Sequence, residues 1–411
     1  MRKTGAPAAP DMARPADVPH GTCGRSGSVL DRETLRVAQD AVNDKTDTKT
    51  QNKKRIGTMT IVREDFGVHK GQKVDIYSIE NSNGLKARVI TYGARLVEMH
   101  TPGRDGTFAD VVLGFDTLEA YEATDTFFGA TCGHYGNRIK DGTFELDGAT
   151  VRLSRNEGEN HLHGGVAGFD KVVWAAYADE RENSVTFTHV VADGCEGYPG
   201  NLVVKAKYTL LDDDRLLIEM SGFTDRPTIL NMVHHSYWNV AGHANGPVTD
   251  QVLTVDADFY TPVDEKLLAT GEVRSVAGTP FDFRSEKAIG ADIDNIPSVG
   301  VGHLVGGGYD HNWVVRDFGP GLRSVATLRD PASGRGFTLR STEPGVQIYT
   351  GGYLTERVIG KGNRPYQTYS GLTFETQKFP GSPNFAHFPS SRLNPGEVYS
   401  HLMEFQFFAD R

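Results

Sequence analysis

The stretch NLVVKAKYTLLDDDRLLIEMSGF, Asn201 to Phe223, decides the fold class. Two runs rich in Val, Leu, Ile and Tyr flank the acidic triplet Asp212–Asp214, and such runs meeting at an Asp cluster read as a β-hairpin. The same punctuation recurs in KARVITYGARLVEMHTPGRDG, Lys86 to Gly106, and onward to the C-terminus. Text with a helical period is scarce beyond DTLEAYEA, Asp116 to Ala123. The 47 glycines among 411 residues exceed the average share of about 7% and supply the tight turns that such a chain needs. These observations predict an all-β fold, a sandwich or a barrel. No repeat of fixed length is present, which argues against a propeller or a solenoid.

Length alone suggests two or three domains, although all-β units often run long as one. No linker interrupts residues 59–411, which read as one globular unit. Residues 1–58 read as a disordered leader, because DAVNDKTDTKTQNKKR, Asp40 to Arg55, has almost nothing apolar to bury. With 43 Lys and Arg against 53 Asp and Glu, the formal net charge of -10 argues against nucleic acid as a partner, since phosphate backbones are held by clustered cations. Three cysteines, Cys23, Cys132 and Cys195, form no CxxC pair, so neither a disulfide framework nor a thiolate zinc site is indicated. A reducing, cytoplasmic compartment is expected. The N-terminus lacks the apolar run of a secretory signal and no apolar run is long enough to span a bilayer, so no membrane partner is expected. The sequence leaves the oligomeric state open.

Residues two apart on a strand share a face, and that rule sorts the unusual polar residues. In ILNMVHHSYWN, Asn231, Val233, His235 and Tyr237 share one face, and Met232, His234, Ser236 and Trp238 the other. Gln347 pairs with Tyr349 in GVQIYTGG, and Thr373, Glu375, Gln377 and Phe379 align in LTFETQKFP. Amides, hydroxyls and carboxylates beside rings suit a sugar, whose hydroxyls need fixed partners and whose C–H faces pack on apolar surface. A metal is the competing reading: His161 and His163 in ENHLHGG could supply two ligands, with Glu375 or Asp310 completing the set. The bland readings are a satisfied buried histidine for His234 or His311 and a structural carboxylate for Glu375.

Seven blocks in order shift that balance: GHYGNRIKDGTFELDG, NHLHGG, HHSYWNVAG, TGEV…GTPFDFR, GYDHNW, PGVQIYTGG and FETQKFPGSPNF…LNPGEVY. Together they resemble the galactose mutarotases, the aldose 1-epimerase family, over roughly residues 60 to 411. The resemblance implies a β-supersandwich, a single large domain of mostly antiparallel strands with an open sugar-binding cleft. It implies an isomerase that interconverts the α and β anomers of galactose- and glucose-type aldoses, feeding hexose metabolism, with a monosaccharide as substrate. Carried over by motif, it makes Glu375 the catalytic base, His235 the catalytic acid, and His163, Asn137, Arg138, Asp310 and Gln347 the substrate-binding residues. Of the two histidines in NHLHGG it assigns the function to His163, with His161 a neighbour on the same face and the glycines letting backbone approach the ligand. Two positions depart from the family pattern, His134 where relatives usually have Arg, and Ala269 in LATGE; neither has an assigned role.

Anomer exchange requires a base at the anomeric hydroxyl and an acid at the ring oxygen, and reclosure exchanges the roles. A glutamate raised by burial and an imidazole near its ordinary range meet that need, and no cofactor or metal is expected. Three rivals are a non-catalytic sugar-binding module, a hexose-6-phosphate mutarotase, which should add a cationic cluster, and a glycoside hydrolase using Glu375 and Asp310.

Overall fold

The hairpin at Asn201–Phe223 forms as the sequence predicts. Strands Leu202–Leu210 and Arg215–Thr224 pair antiparallel, with Leu210 opposite Leu216 and Leu202 opposite Thr224. The turn closes through Leu211 N–H to Arg215 O at 2.9 Å, and Asp214 takes a φ of 65°, which Asp tolerates better than most residues. Leu202, Val204, Ala206, Tyr208, Leu216 and Ile218 are fully buried, alternating with Lys205, Lys207 and Glu219 on the opposite face. The period of two therefore buries one face and leaves the other wet.

The computed structural model describes residues 61–297, 299–301, 304–317, 319–355 and 357–410. The leader expected at 1–58 lies outside the described residues. Three antiparallel sheets dominate. The hairpin belongs to a nine-stranded sheet with strand order Ala175–Asp179, Ser184–Val191, Leu202–Leu210, Arg215–Thr224, Tyr399–Ala409, Arg335–Ser341, Arg323–Arg329, Val252–Val255 and Lys287–Ala288. A six-stranded sheet runs Tyr237–Trp238, Leu372–Gln377, Gly345–Tyr349, Asp310–Val315, Ala257–Thr261 and Arg274–Ser275. A five-stranded meander covers Val62–His69, Gln72–Glu80, Lys86–Ile90, Arg95–Pro102 and Phe108–Asp110. The only α-helix among the described residues is Leu118–Glu122, inside the expected helical stretch, where the Thr117 hydroxyl accepts from Ala120 N–H. This is the β-supersandwich that the resemblance implied.

The core lies between sheets. Phe337 from the nine-stranded sheet and Phe374 from the six-stranded sheet meet at 5.5 Å between ring centroids, and Trp238 meets Phe405 at 4.7 Å. Ile79, Val89, Leu96 and Met99 of the meander join the same apolar cluster. Fully burying a side chain of this size stabilises by roughly 1.5–3 kcal/mol. Packing on one face of the six-stranded sheet thus dictates what its other face can display. Cys132 is a free, buried thiol. No helix among the described residues is long and apolar enough to cross a membrane.

Replacing Phe405 by Ala removes a ring that contacts Trp238, Phe337 and Phe407. Urea unfolding should show a loss of about 3–5 kcal/mol, the range for large-to-small changes in a packed core.

Candidate active site

On the six-stranded sheet, residues directly opposite in register share a face. Asn312, Gln347 and Glu375 are opposite one another on three adjacent strands, and Asp310, Tyr349, Thr373 and Tyr237 form the next row. These rows are the outer face of the sheet whose inner face carries Trp238, Phe374, Ile348 and Trp313 in the core. The alternation read from the sequence therefore holds in Gly345–Tyr349 and Leu372–Gln377, whereas ILNMVHHSYWN is divided between two short strands, Val233–His235 and Tyr237–Trp238, in different sheets. The short strand Val233–His235 pairs with Ala130–Cys132 instead and brings His235 over Glu375. His235 Nε2 lies 3.4 Å from Glu375 Oε1, both side chains being about 95% or more buried. His234, one position away, turns to the core, where its Nδ1 lies 3.3 Å from the Tyr208 hydroxyl while its Nε2 is buried without a protein partner.

His163 joins this pair, its ring 5.1 Å from that of His235. His161 does not, and the expectation of a shared face is corrected. The strand ends at His161–Leu162 and His163 has a φ of 49°, which breaks the extended alternation. His161 turns inward and uses both ring nitrogens, Nδ1 with Ser154 O and Nε2 with the Tyr198 hydroxyl, each at 2.7 Å. The glycine pair also meets a packing requirement that the sequence reading did not name. A Cβ on Gly164 would lie 1.7 Å from Gly133 O, and one on Gly165 would lie 2.2 Å from a Glu196 carboxylate oxygen. Close internal packing, with φ of 91° and 94°, requires glycine there.

Burial governs the electrostatics. It pushes the Glu375 carboxyl up to about 8, reinforced by the Asp310 charge and opposed by the Thr373 hydroxyl and Arg138. The same cause pulls the His235 imidazole down to about 3, which corrects the expectation of an ordinary imidazole. His163 is also held well below its usual range, by burial first and then by His235 and Arg138. Thr373 donates to Glu375 Oε1 at 3.0 Å, while Glu375 Oε2 and His235 Nδ1 are buried without a protein partner. Buried polar atoms are normally satisfied, so these two leave hydrogen-bonding capacity open at the centre.

The remaining residues expected at the site are gathered around this centre. Asn137, with a φ of 64°, exchanges two backbone contacts with His163: its N–H donates to Nδ1 and its carbonyl accepts from His163 N–H, each at 3.2 Å. The Asn137 side-chain oxygen accepts from Arg138 N–H at 2.8 Å. Gln347 donates to Asp310 Oδ1 at 2.6 Å and keeps a buried, unpartnered Oε1. Burial raises Asp310, against the pull of Arg138 and Gln347. Three contributors escaped sequence reasoning. Phe127 packs on both His163, at 4.8 Å, and His235, at 5.6 Å; Thr373 was placed on the right face but given no role; Glu157 grips Arg138. A β-strand period could flag Thr373, but nothing local flags the other two. Of the departures from the family pattern, His134 stacks on Tyr198 at 4.1 Å in a buried layer beneath the site.

The donor atoms of His163, His235 and Glu375 lie within 4.8 Å of one another, the right residue types for a divalent ion. Their hydrogen bonds do not fit one. Because Asn137 N–H donates to His163 Nδ1, that nitrogen carries no proton, so Nε2 carries it and is a donor rather than a ligand. His161, the other expected ligand, has both nitrogens engaged.

The geometry can thus hold a polar ring compound between a protonatable carboxylate and two neutral imidazoles. A sequence model described as aldose 1-epimerase matches residues 75–406. A galactose mutarotase from Bos taurus is 40% identical over 79% of this chain and 92% of its own length, and one from Homo sapiens is 39% identical over 82% and 95%. An aldose 1-epimerase from Escherichia coli strain K12 is 35% identical over 83% of this chain and 97% of its own. Among solved structures, an aldose epimerase homologue from C. elegans superposes with a TM-score of 0.72 at 31% identity, covering 80% of this chain and 98% of that one. From the match across most of its length, the chain belongs to the aldose 1-epimerase family.

Proposed function

We propose that the cleft opens and recloses the pyranose ring of a free galactose- or glucose-type aldose, interconverting its anomers. The observation that carries this reading is the buried pair of Glu375 Oε1 and His235 Nε2 at 3.4 Å. The anomeric hydroxyl and the ring oxygen are bonded to the same carbon, so two proton-transfer groups must act side by side, as these do. Glu375 takes the anomeric proton, His235 protonates the ring oxygen as its bond to the anomeric carbon breaks, and rotation of the open aldehyde followed by reclosure gives the other anomer. The pair needs one proton in total. Without sugar that proton rests on Glu375, and its transfer to His235 gives the reactive state.

His163 presents an N–H to a sugar oxygen, Asp310 and Gln347 Oε1 accept from ring hydroxyls, Arg138 donates from Nη1, and Asn137 sets the His163 tautomer. A phosphorylated sugar is disfavoured because Glu157 occupies two nitrogens of Arg138. The direct test is polarimetry on freshly dissolved α-galactose and α-glucose, with the uncatalysed rate subtracted. A rate that does not rise with enzyme concentration would refute the proposal.

The pair keeps its single proton between the low value of His235, about 3, and the raised value of Glu375, about 8. Initial rates should give a kcat/KM that is flat through neutral pH and falls above about 8. Glu375→Gln and His235→Asn should each lower kcat by at least about 10²-fold, and the double variant by much less than the product, because both groups act in one step.

A carboxyl raised on folding binds more protons in the native state, so its contribution to stability is lost as pH rises from the unfolded value toward about 8. Glu375→Gln should therefore be more stable than the parent at pH 7, by no more than about 3 kcal/mol. The difference in thermal midpoint should shrink toward pH 4.5, the ordinary carboxyl value. Prolonged chelation should leave the mutarotation rate unchanged, given the donor role fixed on His163.

A further inference from the structure

We propose that Glu157 is a positioning residue for sugar binding: its carboxylate forks the Arg138 guanidinium and so keeps Asp310 free to accept from sugar hydroxyls. This rests on the mutarotase reading of the cleft. Arg138 donates from Nε to Glu157 Oε2 at 2.8 Å and from Nη2 to Oε1 at 2.7 Å, a two-point pairing that fixes the guanidinium plane. The pair is shielded from solvent, with side chains only 10% and 12% exposed. Glu157 is itself held rigidly. It exchanges backbone hydrogen bonds with Asn160, whose side-chain oxygen accepts from Asp141 N–H, and the neighbouring Asn156 ties both polar backbone groups of Leu162. Leu162 is in turn paired with Arg138 across a two-residue ladder, so the fork bridges the turn and the strand that carry the two partners.

The competing arrangement explains why this matters. Arg138 is close enough to Asp310 for each charge to act on the other, and Glu157 acts on Asp310 as well. Asp310 already accepts from Gln347 Nε2 on Oδ1. A guanidinium released from Glu157 would turn to the remaining acceptor sites of Asp310, and the group meant to read ring hydroxyls would be consumed within the protein. Glu157 lies outside every residue set that the sequence reading assembled, because its role depends on a turn folding back over Arg138.

Glu157→Gln keeps the shape and one acceptor but removes the charge and the second arm of the fork. Galactose Kd by calorimetry and KM by polarimetry should both rise at least about 10-fold, with kcat changed less than about 3-fold, the pattern of lost ground-state binding. In an Arg138→Lys background, which has already lost the fork, Glu157→Gln should add less than about 2-fold. If Glu157→Gln does not fold, Glu157→Asp, which keeps the charge on a shorter arm, should show the same split in smaller measure. Wild-type Kd and KM in a folded variant would overturn the inference, as would a fall in kcat at constant KM or additive losses in the Arg138→Lys background. A parent protein that binds galactose without speeding mutarotation overturns the proposed reaction instead, and the Kd comparison then decides the role of Glu157.

Discussion

The structure depends on one constraint: the six-stranded sheet has an apolar face that must be covered, and the nine-stranded sheet covers it. Trp238, Phe374, Ile348 and Trp313 point inward from four adjacent strands, and Phe337 and Phe405 meet them. Once those side chains are committed to the core, strand geometry sends the residues between them to the other face. Tyr237, Thr373, Glu375, Gln347, Tyr349, Asp310 and Asn312 arrive together on that face as a consequence. The site is the reverse side of the core.

This arrangement also sets the electrostatics of the site. A carboxylate on a wet surface titrates near its ordinary value, whereas Glu375 is buried by the sheet below it and by the His235 and His163 rings beside it, and rises to about 8. The same burial lowers His235. Two groups displaced in opposite directions hold one proton between them over the neutral range, which is what a reversible reaction with exchanged acid and base roles requires. Arg138 is buried nearby and paired with Glu157, and among the causes acting on Glu375 it is the smallest, opposing the rise.

Irregular backbone does the rest. Asn137, His163 and Phe127 all have positive φ, and each lies where a loop must aim a side chain or backbone group at the centre. The cost of such conformations is of the order of 1–3 kcal/mol each and is sustained where surrounding contacts over-determine them. The paired hydrogen bonds between Asn137 and His163, and the close approach of Gly164 to Gly133, are those contacts. They fix the His163 tautomer, which makes its Nε2 a hydrogen-bond donor and unsuited to a metal.

The sequence by itself determined the all-β class and the faces of the strands that build the cleft, because both follow from a local period of two. It also placed Glu375 beside Thr373 and Gln377, and separated His235 from His234. What it could not determine depends on distance through space. Treating His161 and His163 as face-mates failed because one left-handed residue reverses the direction of a side chain, and no period registers that. An ordinary titration for His235 failed because burial is a property of the packed cleft. Glu157 and Phe127 were invisible for the same reason: their partners are supplied by a folded turn and by two imidazoles from separate strands, and only tertiary structure brings those together.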